Sequence, residues 1–314
     1  MPQFENTPRG RVVREIIARV HADNLIGRKL KNGELRKKLN EPEWKVPDGY
    51  SLSVIEQKHY RMELLEPEQK NSSMVIFQIH GGGYVGRFRN IYRSFAGFYS
   101  ELGHGIPVLS PDYRVAPEDP YPAALEDVAE AFDWLLENGW SEEKIVVAGD
   151  SAGGGLAMAL CMYLKDRGRK LPAGIVAMSP WTDLTQSGAS YRFNFRKDPV
   201  FGKTLDSLIF NRDYIGTNDP TDPYISPLYG NFEGFPPMLI QVGSYEMLLS
   251  DSELVAEKAK KAGCKVRLSI YEGMFHVFQM ALLVMPESRR AWREVGKFLE
   301  IIQQGLPDSH YETA

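Results

Sequence analysis

Three short segments carry residue types that could perform nucleophilic chemistry. In the first, Gly149-Asp150-Ser151-Ala152-Gly153-Gly154, a serine sits between glycines, after the apolar run KIVVAG and before a helix-compatible stretch. A serine hydroxyl attacks poorly unless it is held exposed beside a base, and a sharp strand-to-helix turn does this. Glycine at 149 and 153 removes side chains that would collide in such a turn. With 28 glycines in the chain, a chance Gly-x-Ser-x-Gly has an expectation on the order of 0.2, so the pattern alone is only moderately specific. Its place between a strand and a helix sharpens it, the alternative being a glycine-rich strand-to-helix turn with no reactivity.

The second segment is His80-Gly81-Gly82-Gly83, at the end of the apolar run MVIFQI. Three successive glycines are costly in backbone entropy and call for a reason. Here they let a loop turn its N–H groups toward the acyl carbon at Ser151, forming with the Ala152 N–H a hole for an oxyanion. Gly81 and Gly82 are assigned as the donors. His80, at the strand end, reads as a residue orienting this loop and not as a base.

The third is Met274-Phe275-His276-Val277-Phe278, in the loop between the last expected strand and the last long helix. In sites of this kind the base follows the nucleophile in chain order, and of six histidines only His276 and His310 do. His310 stands in a polar tail near the end of the chain, where termini fray. His276 is therefore the expected base. Its partner should be a carboxylate just past the preceding strand, where it can reach Nδ1. Glu246 leaves the run MLIQVG directly, whereas Asp251 falls at an expected helix start, where a carboxylate also suits the helix dipole. Position favours Glu246, with Asp251 as runner-up.

These loops need elements to hold them. Short runs rich in Val, Ile and Leu at 74–79, 106–111, 144–149, 174–179, 238–243 and 266–271 predict buried strands. Helix-compatible stretches at 90–102, 122–138, 152–167, 250–262 and 287–304 alternate with them, which predicts an α/β fold with a mostly parallel sheet. Residues 51–57 and 60–65 alternate like strands. Residues 9–40, with Val12, Ile16, Ile17, Val20 and Leu25 among charges, read as one or two amphipathic helices covering the main body. The interval 181–237 is too long for an ordinary connection. Its apolar Val200, Phe201, Leu205, Leu208, Ile209 and Phe210 predict an inserted helical piece.

The chain has 314 residues, 43% of them hydrophobic, with a formal net charge of -4. That is enough to bury a large core, and it offers no basic footprint for nucleic acid. The histidines show no metal-ligand spacing, so no metal is expected. Cys161 and Cys264 are too few for a disulfide framework and suit a reducing compartment. No run has the length of a signal-peptide core or a membrane span, so the expected setting is soluble and cytoplasmic, with no membrane partner.

Taken together these segments resemble the bacterial hormone-sensitive-lipase-like esterases, a branch of the α/β-hydrolases. Beyond HGGGY and GDSAGG, the likeness extends to Asp112-Tyr113-Arg114-Val115-Ala116-Pro117-Glu118, Tyr121-Pro122-Ala123-Ala124 and Glu126-Asp127, in matching order and spacing. The resemblance covers most of the chain. It implies an eight-stranded, mostly parallel sheet flanked by helices, with a helical cap drawn from the N-terminal segment and an insertion. On that basis residues 1–45 are cap helices, 46–182 and 226–314 the two parts of the core, and 183–225 the inserted cap segment. It also implies hydrolysis of small short-chain acyl esters without a cofactor, and its relatives suggest a homodimer. The family's acid motif is Asp-Pro-Leu-x-Asp, with the first Asp about thirty residues before the histidine; Glu246 stands at that separation in the divergent stretch Glu246-Met247-Leu248-Leu249-Ser250-Asp251. Where relatives commonly carry glycine after the histidine, this chain has Val277.

The expected reaction is acyl transfer to Ser151, with His276 as base and Glu246 holding the imidazole. Tyr84, Phe88, Trp181 and Phe201 are candidate pocket aromatics. The same residues could serve an amide- or lactone-directed hydrolase. Another class is a non-catalytic small-molecule receptor on this architecture, which would lack the base; His276 speaks against it. A purely structural module would leave the three glycines and the Ser151 turn without a purpose.

Overall fold

A strand rich in β-branched residues can bury both faces only when helices cover both sides of its sheet. The computed structural model of the chain, which describes residues 3–21, 33–34, 41–69, 72–202 and 212–305, has that layered arrangement. Its strands are β1 (Gln3–Phe4), β2 (Tyr50–Glu56), β3 (Arg61–Pro67), β4 (Val75–Ile79), β5 (Val108–Asp112), β6 (Ile145–Asp150), β7 (Gly174–Met178), β8 (Met238–Gly243) and β9 (Val266–Tyr271). The helices are α1 (Pro8–His21), α2 (Asn90–Leu102), α3 (Ala123–Glu137), α4 (Ala152–Asp166), the single turns α5 (Ser190–Phe193) and α6 (Arg212–Ile215), α7 (Leu249–Lys261) and α8 (Pro286–Gln304).

Strands β2 to β9 form the expected eight-stranded sheet, ordered β9-β8-β7-β6-β4-β5-β3-β2, and β1 adds a two-residue ninth at the β9 edge. Among the described residues only the β2–β3 and β3–β5 pairings are antiparallel. The small edge strand was not expected. Phe4 stacks on Tyr271 with ring centroids 4.6 Å apart, and Glu272 N–H donates to Phe4 O at 2.9 Å, so one aromatic anchors a segment too short to read as a strand.

Alternation along the central strands divides two cores. Val75, Phe77 and Ile79 face α3, α4 and α7, packing with Val128, Leu156 and Val255. Ile76, Val146 and Ala148 face α2 and α8, where Trp292 meets Phe95 and Tyr99. Each large apolar side chain so buried contributes about 1.5–3 kcal/mol. The site depends on this packing because it fixes the strand ends. The chain runs from β4 to β5 on one side and returns to β6 on the other, so β4 and β6 flank the point where strand order reverses. Crevices outside the carboxyl ends of strands at such a point are where ligands bind in α/β sheets.

Helix α1 lies over the loop that follows β9. Val13 and Ile17 pack with Met274 and Phe275, while Arg14 Nη1 donates to Gly273 O at 3.1 Å. Val12, Ile16 and Val20, also counted as apolar positions, stay more than half exposed. Leu25, Leu205, Leu208, Ile209, Phe210 and His310 lie outside the described residues. Among the described residues no helix is long and apolar enough to cross a membrane.

Candidate active site

Ser151 sits in the turn between β6 and α4 with φ 53° and ψ −122°, a conformation that L residues rarely adopt and that packing must enforce. Its N–H donates to Met178 O at 2.9 Å, and its carbonyl accepts from Trp181 N–H at 2.9 Å. A methyl on Gly153 would collide with the carbonyl oxygens of Ile79 and His80, and one on Gly149 with Gly153 itself. Helix α4 therefore presses against β4 through bare backbone. Gly153→Ala should destabilise the fold by about 1–3 kcal/mol through this overpacking, read as a lowered denaturation midpoint; an unchanged midpoint would count against the tight turn.

His276 lies in the loop after β9. Its Nε2 is 2.9 Å from Ser151 Oγ and its Nδ1 is 3.0 Å from Glu246 Oε2. Glu246 is fully buried at the turn leaving β8, and its other oxygen, Oε1, accepts from Ser179 Oγ at 2.7 Å and Gly243 N–H at 2.6 Å. Three donors thus surround one carboxylate, enough to offset its desolvation. The three loops come together as an unbroken hydrogen-bonded chain from Ser151 to Glu246.

Asp251, the other carboxylate considered, lies elsewhere. It is buried in the first turn of α7, and its Oδ2 accepts the N–H groups of Thr182 and Asp183, both at 2.8 Å. Burial pushes its carboxyl up to about 8. It ties α7 to the segment after β7, a larger role than a helix-start charge.

One expected donor must be corrected. The N–H of Gly81 is given to Asp150 Oδ1 at 3.0 Å, so it is already committed to the nucleophile's neighbour and is withdrawn as an oxyanion donor. A Cβ on Gly81 would strike the Asp150 side chain, which explains the glycine by close approach. Burial pushes the Asp150 carboxyl up to about 7. Gly82, with φ 115°, is the next residue of the loop, and Ala152 opens α4, where first-turn N–H groups have no intrahelical acceptor. His80 is enclosed, with its ring stacked 4.1 Å from that of Tyr113 and its Nδ1 donating to Gly81 O at 2.7 Å. Burial lowers its pKa to about 4, so it stays neutral at physiological pH and orients the loop, as its position predicted.

Of the four candidate aromatics, Phe201 meets the site, with its ring 4.6 Å from that of His276. Tyr84 is wholly buried, stacked at 3.7 Å on Tyr214 and close to Trp181, and belongs to the core. Phe88 packs on His80 and Tyr92.

One supporting residue escaped the sequence reading. Ser179, the last residue of the run GIVAMS, bonds Glu246 and also accepts from Val277 N–H at 3.1 Å. Val277, singled out beside the histidine, is left-handed, with φ 48° and ψ 47°, a costly conformation for a β-branched residue.

The family model of the alpha/beta hydrolase fold matches residues 76–280. Over 254 residues the chain is 37% identical to an acetyl-hydrolase of Streptomyces hygroscopicus, covering 81% of this chain and 83% of that one. It is 36% identical to an esterase of Acinetobacter venetianus across 73% of this chain and 76% of that protein. A solved homologue of hormone-sensitive lipase from a metagenome library superposes with a TM-score of 0.82 at 30% identity, over 95% of this chain and 99% of its own. The chain belongs to the α/β-hydrolase fold family. Within it the protein is a serine carboxylesterase, and its structural neighbours are bacterial esterases of the hormone-sensitive-lipase group.

Proposed function

We propose that the chain hydrolyses short-chain acyl esters through an acyl-enzyme on Ser151. The Ser151 Oγ attacks the ester carbonyl as His276 Nε2 takes its proton, and Glu246 supports the imidazolium at Nδ1. The oxyanion is held by the N–H groups of Gly82 and Ala152. Collapse expels the alcohol, which takes the proton back from His276. Water, deprotonated by the same imidazole, then releases the acid. The observation that carries this reading is the continuous Ser151–His276–Glu246 contact, with both links within 3.0 Å.

Short acyl groups are favoured because Phe201 closes one side of His276 and an acetyl-hydrolase stands among the relatives. In this reading the described parts of 1–45 and 183–225 cap the core, the rest of each range lying outside the described residues. The test is a panel of 4-nitrophenyl esters from acetyl to palmitoyl, assayed below the micelle limit. Turnover should fall beyond about eight acyl carbons. Faster hydrolysis of the palmitoyl than of the butyryl ester would refute the preference.

A further inference from the structure

We propose that Ser190, Asn194 and Asp198 form a positioning spine for the turn that carries Glu246, so that the segment after β7 sets the geometry of the triad. This rests on the triad reading above.

The three residues recur every fourth position, and the backbone between them is helical in its hydrogen bonding: Asn194 N–H donates to Ser190 O at 2.9 Å and Asp198 N–H to Asn194 O at 2.8 Å. They therefore share one face. That face is polar yet at most 2% exposed. Every member bonds to one short stretch of chain. Ser190 Oγ donates to Met247 O at 2.6 Å and accepts from Ser250 N–H at 2.9 Å. Asn194 Nδ2 donates to Ser244 O at 2.9 Å and to Glu246 O at 2.8 Å. Asp198 Oδ2 accepts from Met247 N–H at 2.7 Å.

These contacts grip the peptide groups on both sides of Glu246. The turn's own backbone-to-backbone bonds at Glu246 are longer, from Glu246 N–H to Gly243 O at 3.2 Å and from Leu249 N–H to Glu246 O at 3.3 Å. Asp198 also reaches the base from another side. Its Oδ1 accepts the N–H groups of Val200 and Phe201 at 2.8 and 3.0 Å, which sets the ring that packs on His276. Stability alone is a poor reason for this arrangement, since buried polar clusters are often matched or bettered by apolar packing of similar volume. Convergence on the acid's turn and the base's ring gives the stripe a purpose: it fixes the Glu246 carboxylate against Nδ1 before substrate arrives. Displacement of a reacting geometry by about 1 Å can cost on the order of a hundredfold in rate.

The experiment compares purified Asp198→Asn and Asn194→Ala with wild type, using a short 4-nitrophenyl ester for kcat and KM. Proton NMR of the downfield His276 Nδ1–H resonance reports on the bond to Glu246. Both variants are expected to lose about 10- to 100-fold in kcat with KM nearly unchanged, and to shift or broaden that resonance. Ser190→Ala, which removes only a hydroxyl, carries the same test should the other two fail to fold, with a smaller change in the same sense. Folded variants with wild-type kcat would overturn the proposal. So would a loss of rate with the resonance unmoved, because the stripe would then be merely structural. Persistent turnover in Ser151→Ala would instead strike the triad reading, and the two failures are thus separable.

Discussion

Replacing Ser151 by alanine is expected to lower kcat by about 10⁴- to 10⁶-fold while leaving a folded protein. The side chain loses one oxygen, and that oxygen's described partner is His276 Nε2 at 2.9 Å. The turn itself is held by the Met178 and Trp181 backbone bonds and by the glycines at 149 and 153, none of which the substitution touches. Alanine keeps the same Cβ and hence the same backbone strain at φ 53°. The checks are ester turnover, labelling by a fluorophosphonate and a thermal melt. Turnover and labelling should vanish together with the melt little changed. Retained turnover would refute Ser151 as nucleophile, and a collapsed melt would mean that the hydroxyl holds the turn.

Glu246→Gln should cost about 10² to 10⁴ in kcat, through the tautomer of His276 more than through packing. Oε1 receives two donors, Ser179 Oγ and Gly243 N–H, and only an oxygen can accept both. A glutamine must therefore place its carbonyl there and turn its amide nitrogen to His276 Nδ1. An amide N–H can only donate, so Nδ1 must accept and the ring proton moves to Nε2. That nitrogen can then no longer take the proton of Ser151. The matching control is Asp251→Asn, whose amide oxygen can still accept from Thr182 and Asp183. It should cost about 1 kcal/mol of stability and little rate. If Asp251→Asn abolished turnover while Glu246→Gln stayed near wild type, the acid would have been misassigned.

Much of this protein was legible before folding because its signals are local. Strand, turn and helix around Ser151 occupy one continuous stretch, and the glycines at 149 and 153 state a steric need within it. The apolar runs mark the central strands to within two residues because helices cover both faces of the sheet. The contact of His276 with Glu246 and not with Asp251 also follows from the place of Glu246 at the end of β8.

Tertiary structure alone decided what depends on groups far apart in the chain. Gly81 looked like an oxyanion donor until the fold brought Asp150 within 3.0 Å of its N–H. Ser179 became a support of Glu246 only when β7 and β8 were paired, which sets hydrogen-bonded neighbours 67 positions apart. The stripe of Ser190, Asn194 and Asp198 carries no sequence mark beyond its spacing, and any solvated helical face would look the same. Its meaning lies in burial against a turn about fifty residues later, since Asp198 meets Met247 across 49 positions. A buried polar side chain is defined by its partner, and spacing along the chain names a partner only within a turn or two.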